Sequence, residues 1–256
     1  MSETALTHVG GPTALLKYGG WTFLTDPTFD EPGEFQAPSG TLVKTIRPAI
    51  RVEDLPAVDV ILLSHDQHVD NLDSSGRRLV ESGGARVLGT LEAAGRMTGV
   101  SGMAPWERSV LEAADRATVT VTSVPAQHGP DGCEPVVGIV TGFVLTASDL
   151  PTVYVSGDNA SLDVVSAVAG RFAPIGLAVL FAGAARVGAL DNAALTLTAQ
   201  DAAAAARALD AAVVVPVHAE GWSHYSEGHE ELRSAFAAAG LQDLLRIPTP
   251  GEKLSL

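Results

Sequence analysis

Cysteine is almost absent from this chain of 256 residues: Cys133 is the single one. An internal disulfide framework is therefore excluded, and a reducing compartment, the cytoplasm, is the expected location. Metal sites built from several thiolates are excluded as well. Any bound transition metal must then be held by histidine and carboxylate side chains.

Basic residues and long apolar runs are also scarce. Lys and Arg number 16 against 30 Asp and Glu, which gives a net charge of −14. A surface this acidic repels phosphate backbones, so nucleic acid is not an expected partner. No apolar run reaches the roughly 18 residues of a membrane span, and the first residues lack a basic and an apolar region. Neither a membrane partner nor a secretory signal is expected.

The remaining composition is sufficient for one sizeable core. Hydrophobic residues make up 46% of the chain, and no linker, repeat or low-complexity segment divides it. Residues 1–256 are therefore interpreted as one domain. A homo-oligomer is compatible with this composition, and the sequence leaves the oligomeric state open.

The predicted elements form a β-rich first half, followed by strands that alternate with helices. Three short β-prone runs, 5–9, 13–18 and 21–25, are separated by Gly-rich turns. Residues 30–51, rich in Pro and Gly, are predicted as one long loop, and residues 136–146 as a strand. Helices are predicted at 74–82, 91–97, 162–169, 199–209 and 227–239. The order favours an α/β (α+β) fold, a four-layer αββα sandwich, over a single doubly wound sheet.

The stretch from Val60 to Asp73 is the most crowded with chemically active side chains. Its apolar start, Val60–Leu63, is typical of a strand buried on both faces. It continues directly as Ser-His-Asp-Gln-His-Val-Asp-Asn-Leu-Asp. Two imidazoles and several carboxylates in one loop favour a bound cation, because unpaired carboxylates repel each other. By itself the stretch leaves a solvated acidic turn as the alternative.

Three later strand ends carry side chains of the same kinds. His128 follows an alternating strand, Asp158 ends the tripeptide Ser-Gly-Asp, and His218 follows the apolar run 213–217. If these ends meet at one edge of the sandwich, several imidazoles and carboxylates share one cavity. Such a set suits zinc, which binds imidazole nitrogen and carboxylate oxygen.

The order of these motifs resembles that of the metallo-β-lactamase superfamily. The motifs that carry the resemblance are Asp26-Pro27, the His-rich loop with His-x-Asp, the lone His128, Ser156-Gly157-Asp158 and the final His218. The residues that flank the histidines are more similar to the lactonase-like branch of small bacterial hydrolases. The resemblance covers nearly the whole chain and implies an αββα fold with one or two ions, usually zinc, that activate water.

A ligand set for two ions is also implied by the resemblance. The first ion would be bound by three histidines, namely His65, His68 and His128. The second would be bound by Asp70, Asp158 and His218, with Asp158 bridging the two ions.

Further roles follow for residues beside the ligands. Asp70 would orient the nucleophile and pass its proton to the leaving group. His224, the second catalytic candidate, would help to stabilise the developing oxyanion. Asp26 is expected to orient a histidine or to hold a turn, and Asp73 to cap the helix that begins at Ser74.

The His-rich loop departs at two positions from the superfamily pattern, His-x-His-x-Asp-His. Either one residue is inserted and His68 is the second histidine, or Gln67 takes that place; His68 is favoured because it keeps the His-x-Asp spacing. Asn71 stands where the pattern has a histidine that binds the second ion. Because an amide oxygen is a poorer ligand, the second site is expected to be weak, altered or empty.

Together these features predict a metal-dependent hydrolase that acts on a small ester, lactone or related molecule through metal-activated water. Zinc is the expected ion, with manganese or iron as alternatives. Two other functions stay open at this point: an iron protein with redox chemistry on the same fold, and a binding protein with a degenerate site, for which Gln67 and Asn71 are the support.

Overall fold

The computed structural model describes residues 4–37 and 40–256. Within these ranges the strands are β1 (Ala5–Gly10), β2 (Thr13–Tyr18), β3 (Trp21–Thr25), β4 (Gly33–Ala37), β5 (Gly40–Lys44), β6 (Val60–Leu62), β7 (Arg86–Thr90), β8 (Val100–Met103), β9 (Arg108–Leu111), β10 (Val119–Pro125), β11 (Thr141–Thr146), β12 (Val153–Val155), β13 (Leu177–Phe181), β14 (Val213–Val217) and β15 (Lys253–Ser255). The α-helices of the same ranges are α1 (Ser74–Glu81), α2 (Leu91–Arg96), α3 (Glu134–Val137), α4 (Leu162–Phe172), α5 (Ala199–Ala208) and α6 (His229–Ala238).

Two sheets carry most of these strands. The first has the order β15-β1-β2-β3-β6-β7-β8, the second has the order β14-β13-β12-β11-β10-β9, and β4 and β5 form a separate hairpin. Strand β6 is parallel to β3 and β7, and β13 is parallel to β12 and β14. Because parallel strands end at the same edge of a sheet, the loops that follow them are neighbours.

The apolar side chains of the two sheets pack against each other in the centre of the molecule. Phe23, Leu62, Phe143 and Phe181 belong to this central core. Helices α1 and α2 cover the outer face of the first sheet, and α4, α5 and α6 cover the outer face of the second. The predicted αββα sandwich is confirmed.

Some predicted elements are wrong. Residues 30–51 are not one loop, because β4 and β5 form an antiparallel hairpin there. Every residue of β4 is exposed or half-buried, so the apolar pattern of that strand is weak. Residues 136–146 are not one strand, because α3 ends at Gly138, whose φ of +83° breaks the chain direction before β11. Strand β8 was not predicted. The tail adds the edge strand β15, which pairs with β1.

The longest helix, α4, has 11 residues. In the part of the chain that the structure describes, no helix has the length and apolarity needed to cross a bilayer.

Candidate metal centre

The His-rich loop begins where β6 leaves the first sheet, and a buried carboxylate fixes its first residue. Asp26, at the end of β3, accepts hydrogen bonds from the Ser64 amide at 2.6 Å and from the Ser64 hydroxyl at 2.7 Å. Asp26 is 1% exposed and has a φ of +25°, a strained conformation that persists where the surroundings hold it. Asp26 therefore holds the start of the His-rich loop through its two hydrogen bonds with Ser64, which agrees with the expected structural role.

Three imidazoles converge just beyond this anchor. His65 Nε2 lies 3.0 Å from His68 Nδ1, and His128 Nε2 lies 3.2 Å from the same atom. With a carboxylate oxygen of Asp158 they form a group whose ligand atoms all lie within 4.8 Å of one another. Strands β6, β10 and β12 thus deliver His65, His128 and Asp158 to one point, because their ends meet at one edge of the two sheets.

Hydrogen bonds at the back of two rings set which nitrogen carries the proton. His128 Nδ1 lies 2.8 Å from the Leu195 carbonyl oxygen, which can accept only, so Nδ1 donates and Nε2 presents a lone pair. His65 Nδ1 lies 2.9 Å from the Ser64 hydroxyl. Because that hydroxyl donates its proton to Asp26, His65 Nδ1 must donate to it, and His65 Nε2 is also a lone pair. Two lone pairs that face one point are a suitable arrangement for a cation.

Asp158 supplies the negative charge of the group. The side chain is 1% exposed, and its Oδ2, 3.5 Å from His128 Nε2, has no hydrogen-bond partner among the described residues. A buried carboxylate oxygen without a partner is costly unless a cation balances it. Gly157 makes the approach possible: at φ +58°, its missing Cβ would lie 2.4 Å from the Thr141 carbonyl oxygen. The residues present therefore fit a metal ion.

A second group is built around Asp70. Its Oδ2 lies 3.2 Å from His218 Nε2 and 2.9 Å from His224 Nε2, and it accepts a hydrogen bond from the Tyr225 hydroxyl at 3.3 Å. His218 Nε2 also lies 3.6 Å from Asp158 Oδ1. The two groups are therefore adjacent and share Asp158.

His218 has a backbone conformation that is uncommon for a residue other than glycine. Its φ is +54°, its amide donates to the Gly11 carbonyl at 2.7 Å, and its ring contacts those of Phe181 and Tyr225. Backbone strain of this kind is maintained at functional sites by the packing around it.

Burial and the neighbouring charges move the pKa values of the centre in opposite directions. Burial, assisted by His68, lowers the pKa of His65 to about 3, and burial also lowers the pKa of His68. Burial alone would lower the pKa of His218, but the Asp158 and Asp70 carboxylates outweigh it and raise this pKa. His65 and His68 are therefore neutral at pH 7, the form in which imidazole binds metal.

Both carboxylates are ionised despite their burial. Burial would raise the pKa of Asp70, but His224 and His218 hold it well below the usual range. For Asp158 the same effect of burial is outweighed by His218 and His128, so its pKa is lowered as well. The centre therefore has two fixed negative charges next to neutral imidazoles.

A cavity of about 100 Å³ opens beside these side chains. Its polar lining consists of His68, Asp70, His128 and His224, and its apolar lining consists of Ala37, Leu42, Val136, Val137, Ala185, Val187 and Leu195. None of the described lining residues is Lys or Arg. The hairpin β4–β5 supplies Ala37 and Leu42, so the segment that sequence patterns assigned to a loop forms part of the wall.

Backbone hydrogen bonds and one buried ion pair dock this hairpin. The Ser223 amide donates to the Val43 carbonyl at 2.9 Å, and Lys44, 5% exposed, lies with Nζ 3.4 Å from Asp73 Oδ2. Asp73 also accepts a hydrogen bond from the Gly76 amide at the start of α1, which confirms its predicted role as the helix cap. One carboxylate thus connects the hairpin to the helix that follows the His-rich loop.

All six predicted ligands and both catalytic candidates lie together. The two loop positions that depart from the superfamily pattern, Gln67 and Asn71, differ in their burial and in their contacts. Gln67 is exposed and lies against Gly138, so His68 and not Gln67 faces the other imidazoles. Asn71 is buried, and its amide nitrogen, not its oxygen, faces Asp158 at 2.9 Å. That these residues bind a metal stays a prediction.

Sequence patterns missed the contacts of Tyr225 and Asp66. Asp66, between the two loop histidines, accepts hydrogen bonds from Arg96 Nε at 3.0 and 3.2 Å and so ties the loop to α2. The position of Tyr225 directly after His224 could have indicated that it contacts the site. The charge of Asp66 inside a buried loop could have indicated a buried ion pair.

Comparison with known proteins identifies the family of this chain. The family model described as a beta-lactamase superfamily domain matches residues 22–219. A metal-dependent hydrolase of Pelotomaculum thermopropionicum is 31% identical over 143 residues, 54% of this chain and 58% of that protein. An uncharacterized Mycobacterium tuberculosis protein is 36% identical over 75 residues, 28% of this chain and 19% of its own length. The chain thus spans less than two thirds of these relatives.

A solved structure shows the same fold over the whole chain. The isothiocyanate hydrolase from Delia radicum gut bacteria superposes with a TM-score of 0.80 at 23% identity, and the match covers 98% of this chain and 100% of that one. The predicted resemblance is confirmed at the level of the superfamily, in which relatives carry the name metal-dependent hydrolase, while the lactonase-like branch stays a prediction. With its αββα fold and its converging histidines and aspartates, this chain belongs to the beta-lactamase superfamily domain family.

Proposed function

We propose that this chain is a zinc-dependent hydrolase that acts on a small, uncharged ester, lactone or related electrophile. The observation that carries the proposal is the convergence of two imidazole lone pairs, from His65 and His128, with the buried carboxylate of Asp158, whose Oδ2 has no partner among the described residues. Nitrogen and oxygen donors of this kind suit zinc. A zinc ion held there would lower the pKa of a bound water to about 7 and so supply hydroxide at neutral pH.

Asp70 is the residue that orients the attacking water. Its carboxylate is held by donors on one oxygen, Oδ2, and its low pKa keeps it an acceptor at pH 7. It lines the cavity next to His68 and His128. A water in that space donates one hydrogen bond to the carboxylate, which directs a lone pair towards the substrate.

His224 is the residue that completes the proton path. Its Nε2 contacts Asp70 at 2.9 Å, while its buried Nδ1 has no partner among the described residues. Because Asp70 is ionised, Nε2 donates to it and Nδ1 of the neutral ring has the lone pair. Nδ1 can therefore take up the proton that the attacking water releases, and the imidazolium formed next to Asp70 can donate that proton to an oxyanion or a leaving group. This gives His224 the role of donor to the substrate.

The cavity selects the class of substrate. Seven of its lining residues are apolar, and none of the described ones is a cation. A carboxylate or phosphate group that lies against these apolar walls, away from the proposed ion, would lose its hydration without a compensating charge. Small neutral molecules with an electrophilic carbon fit these walls, and the isothiocyanates named for one structural relative belong to that chemical class.

Metal content and turnover test the proposal together. Wild-type protein purified without a histidine tag is compared with His65→Ala and His128→Ala, and with His229→Ala as a matched control at the start of α6. Wild type and control should retain zinc and hydrolyse neutral esters or lactones, whereas the two site variants should lose both. Equal metal content in all four proteins would refute the proposal.

A substrate panel tests the selectivity of the cavity. Neutral esters, lactones and isothiocyanates are compared with analogues that carry a carboxylate on the acyl group. We expect kcat/KM for the charged analogues to be at least about tenfold lower, which corresponds to roughly 1.4 kcal/mol. Equal rates would contradict the assignment of an uncharged substrate.

A further inference from the structure

The side-chain amide of Asn71 lies between two buried carboxylates that come from different sheets. Its Nδ2 donates to Asp158 Oδ1 at 2.9 Å and to Asp26 Oδ2 at 3.2 Å. All three residues are at most 1% exposed. The orientation of the amide is determined by these contacts, because a flip would place its own oxygen against two carboxylates.

The contact with Asp158 settles which carboxylate oxygen is available for an ion. Oδ1 is taken by the Asn71 amide, whereas Oδ2 has no partner and faces His128. Asn71 therefore leaves Oδ2 free to face His128, one of the three imidazoles. It is a positioning residue for the group formed by His65, His68, His128 and Asp158.

The groups around Asp158 Oδ1 resemble the ligands of a second metal ion, except that one ligand has been replaced by Asn71. His218 Nε2 lies 3.6 Å from Oδ1 and 3.2 Å from Asp70 Oδ2, so an imidazole and two carboxylates are close together. What position 71 directs at Oδ1 is an N–H group, and a hydrogen-bond donor cannot bind a cation. The two N–H bonds carry partial positive charge to both carboxylates, which is the electrostatic effect that a second ion would have.

We propose that the chain binds one metal ion, among the three imidazoles and Asp158 Oδ2, and that the Asn71 amide replaces a second ion. This proposal rests on the proposed function and specifies the metal content of its site. Asp70 and His218 then remain a carboxylate–imidazole pair that orients water and carries protons, and they are not ligands. The competing arrangement, with Asn71 flipped and its oxygen on a second ion, is one of the outcomes of the test.

Zinc stoichiometry distinguishes the two arrangements without reference to turnover. Metal-free wild type is titrated with zinc alone, and the bound zinc is counted after gel filtration. We expect about one ion per chain for wild type. We expect about two for Asn71→His, which supplies an imidazole lone pair beside Asp158 and His218. Asn192→His, which adds an imidazole at an exposed loop position, is the matched control and should stay at about one.

Each result has a distinct meaning. Two tightly bound ions in wild type, or one in a folded Asn71→His variant, would overturn the inference and leave the hydrolase proposal intact. No bound zinc in wild type would overturn the hydrolase proposal itself.

A second variant keeps the inference testable if Asn71→His does not fold. Asn71→Asp removes the N–H donors at nearly constant shape and adds a third carboxylate. Its metal-free form should melt below metal-free wild type, and saturating zinc should raise its Tm by more than it raises that of wild type. An equal response of both proteins to zinc would contradict the role given to the amide.

Discussion

The hydroxyl of Tyr225 donates a hydrogen bond to Asp70 Oδ2 at 3.3 Å, although 155 positions of the chain separate the two residues. The ring of Tyr225 packs against that of His218 at a centroid distance of 4.1 Å. The hydroxyl therefore acts on the carboxylate that we assign to water orientation, and the ring acts on the packing of the centre. These two effects can be separated by substitution.

Tyr225→Phe keeps the ring and removes the hydroxyl. A hydrogen bond to a charged group contributes about 1.5–3 kcal/mol, so we expect kcat to fall roughly 10- to 100-fold, with a small change in Tm. Tyr154→Phe, which removes a buried hydroxyl without a partner among the described residues, is the control and should keep the wild-type kcat. A Tyr225→Phe enzyme with unchanged kcat would show that the contact has no catalytic role.

Ser64→Ala interrupts the chain of hydrogen bonds from Asp26 to His65. The ring of His65 then loses the partner of its Nδ1 proton, so the tautomer that presents Nε2 is no longer fixed. Loss of such a supporting partner typically weakens metal affinity about 10- to 100-fold. Competition with a chelator of known affinity measures the change. Ser166→Ala on α4 removes a hydroxyl that donates to the Leu162 carbonyl of its own helix, and it should leave zinc affinity as in wild type.

Lys44→Met breaks the buried ion pair that docks the hairpin. Its carboxylate partner, Asp73, is 1% exposed, and removal of one member of a buried pair costs about 3–5 kcal/mol. We expect a loss of this order in urea unfolding. Arg47→Met removes one member of an exposed pair with Glu31, for which we expect less than about 1 kcal/mol. Similar losses for both variants would mean that the buried pair does not hold the hairpin.

Stability should fall as the pH rises above about 10. Burial raises the pKa of Tyr18 to about 12 and also raises the pKa of Tyr154, whereas an unfolded phenol has a pKa of about 10. Between these values the unfolded chain has lost protons that the folded chain keeps, so rising pH favours unfolding. Unfolding in urea between about pH 9 and about pH 11.5 measures the slope. It should be smaller in Tyr154→Phe than in wild type; an equal slope would contradict this cause.

Local patterns were sufficient where an element is defined by its own residues. The apolar run of β6 and the alternation of β10 predicted buried strands, and the polar residues at their ends predicted which loops carry the site. The helix α1 and its cap, Asp73, were predicted in the same way. These signals are local because burial on both faces, or capping of a helix, requires particular residues at fixed spacing.

The hairpin β4–β5 could not be predicted because its stability does not come from its own sequence. Its strands are short, and Leu42 and Lys44 are their buried residues. The hairpin is held by Lys44, by the Gly221–Ser223 segment and by the Phe35 and Trp222 rings at 5.5 Å. The same reason applies to Tyr225. Its hydrogen-bond partner, Asp70, is 155 positions away in the sequence, and no pattern of residue spacing connects the two.

The sequence by itself determined the sandwich fold, the chemical types of the candidate ligands and the order in which the strands present them, since those depend on periodicity and residue identity. Only the tertiary structure decided which atom each side chain presents. It directs the lone pairs of His65 and His128 at one point, and it turns the nitrogen of Asn71, not its oxygen, towards Asp158. Such orientations depend on hydrogen-bond partners that are distant in the chain, and a linear pattern contains no information about them.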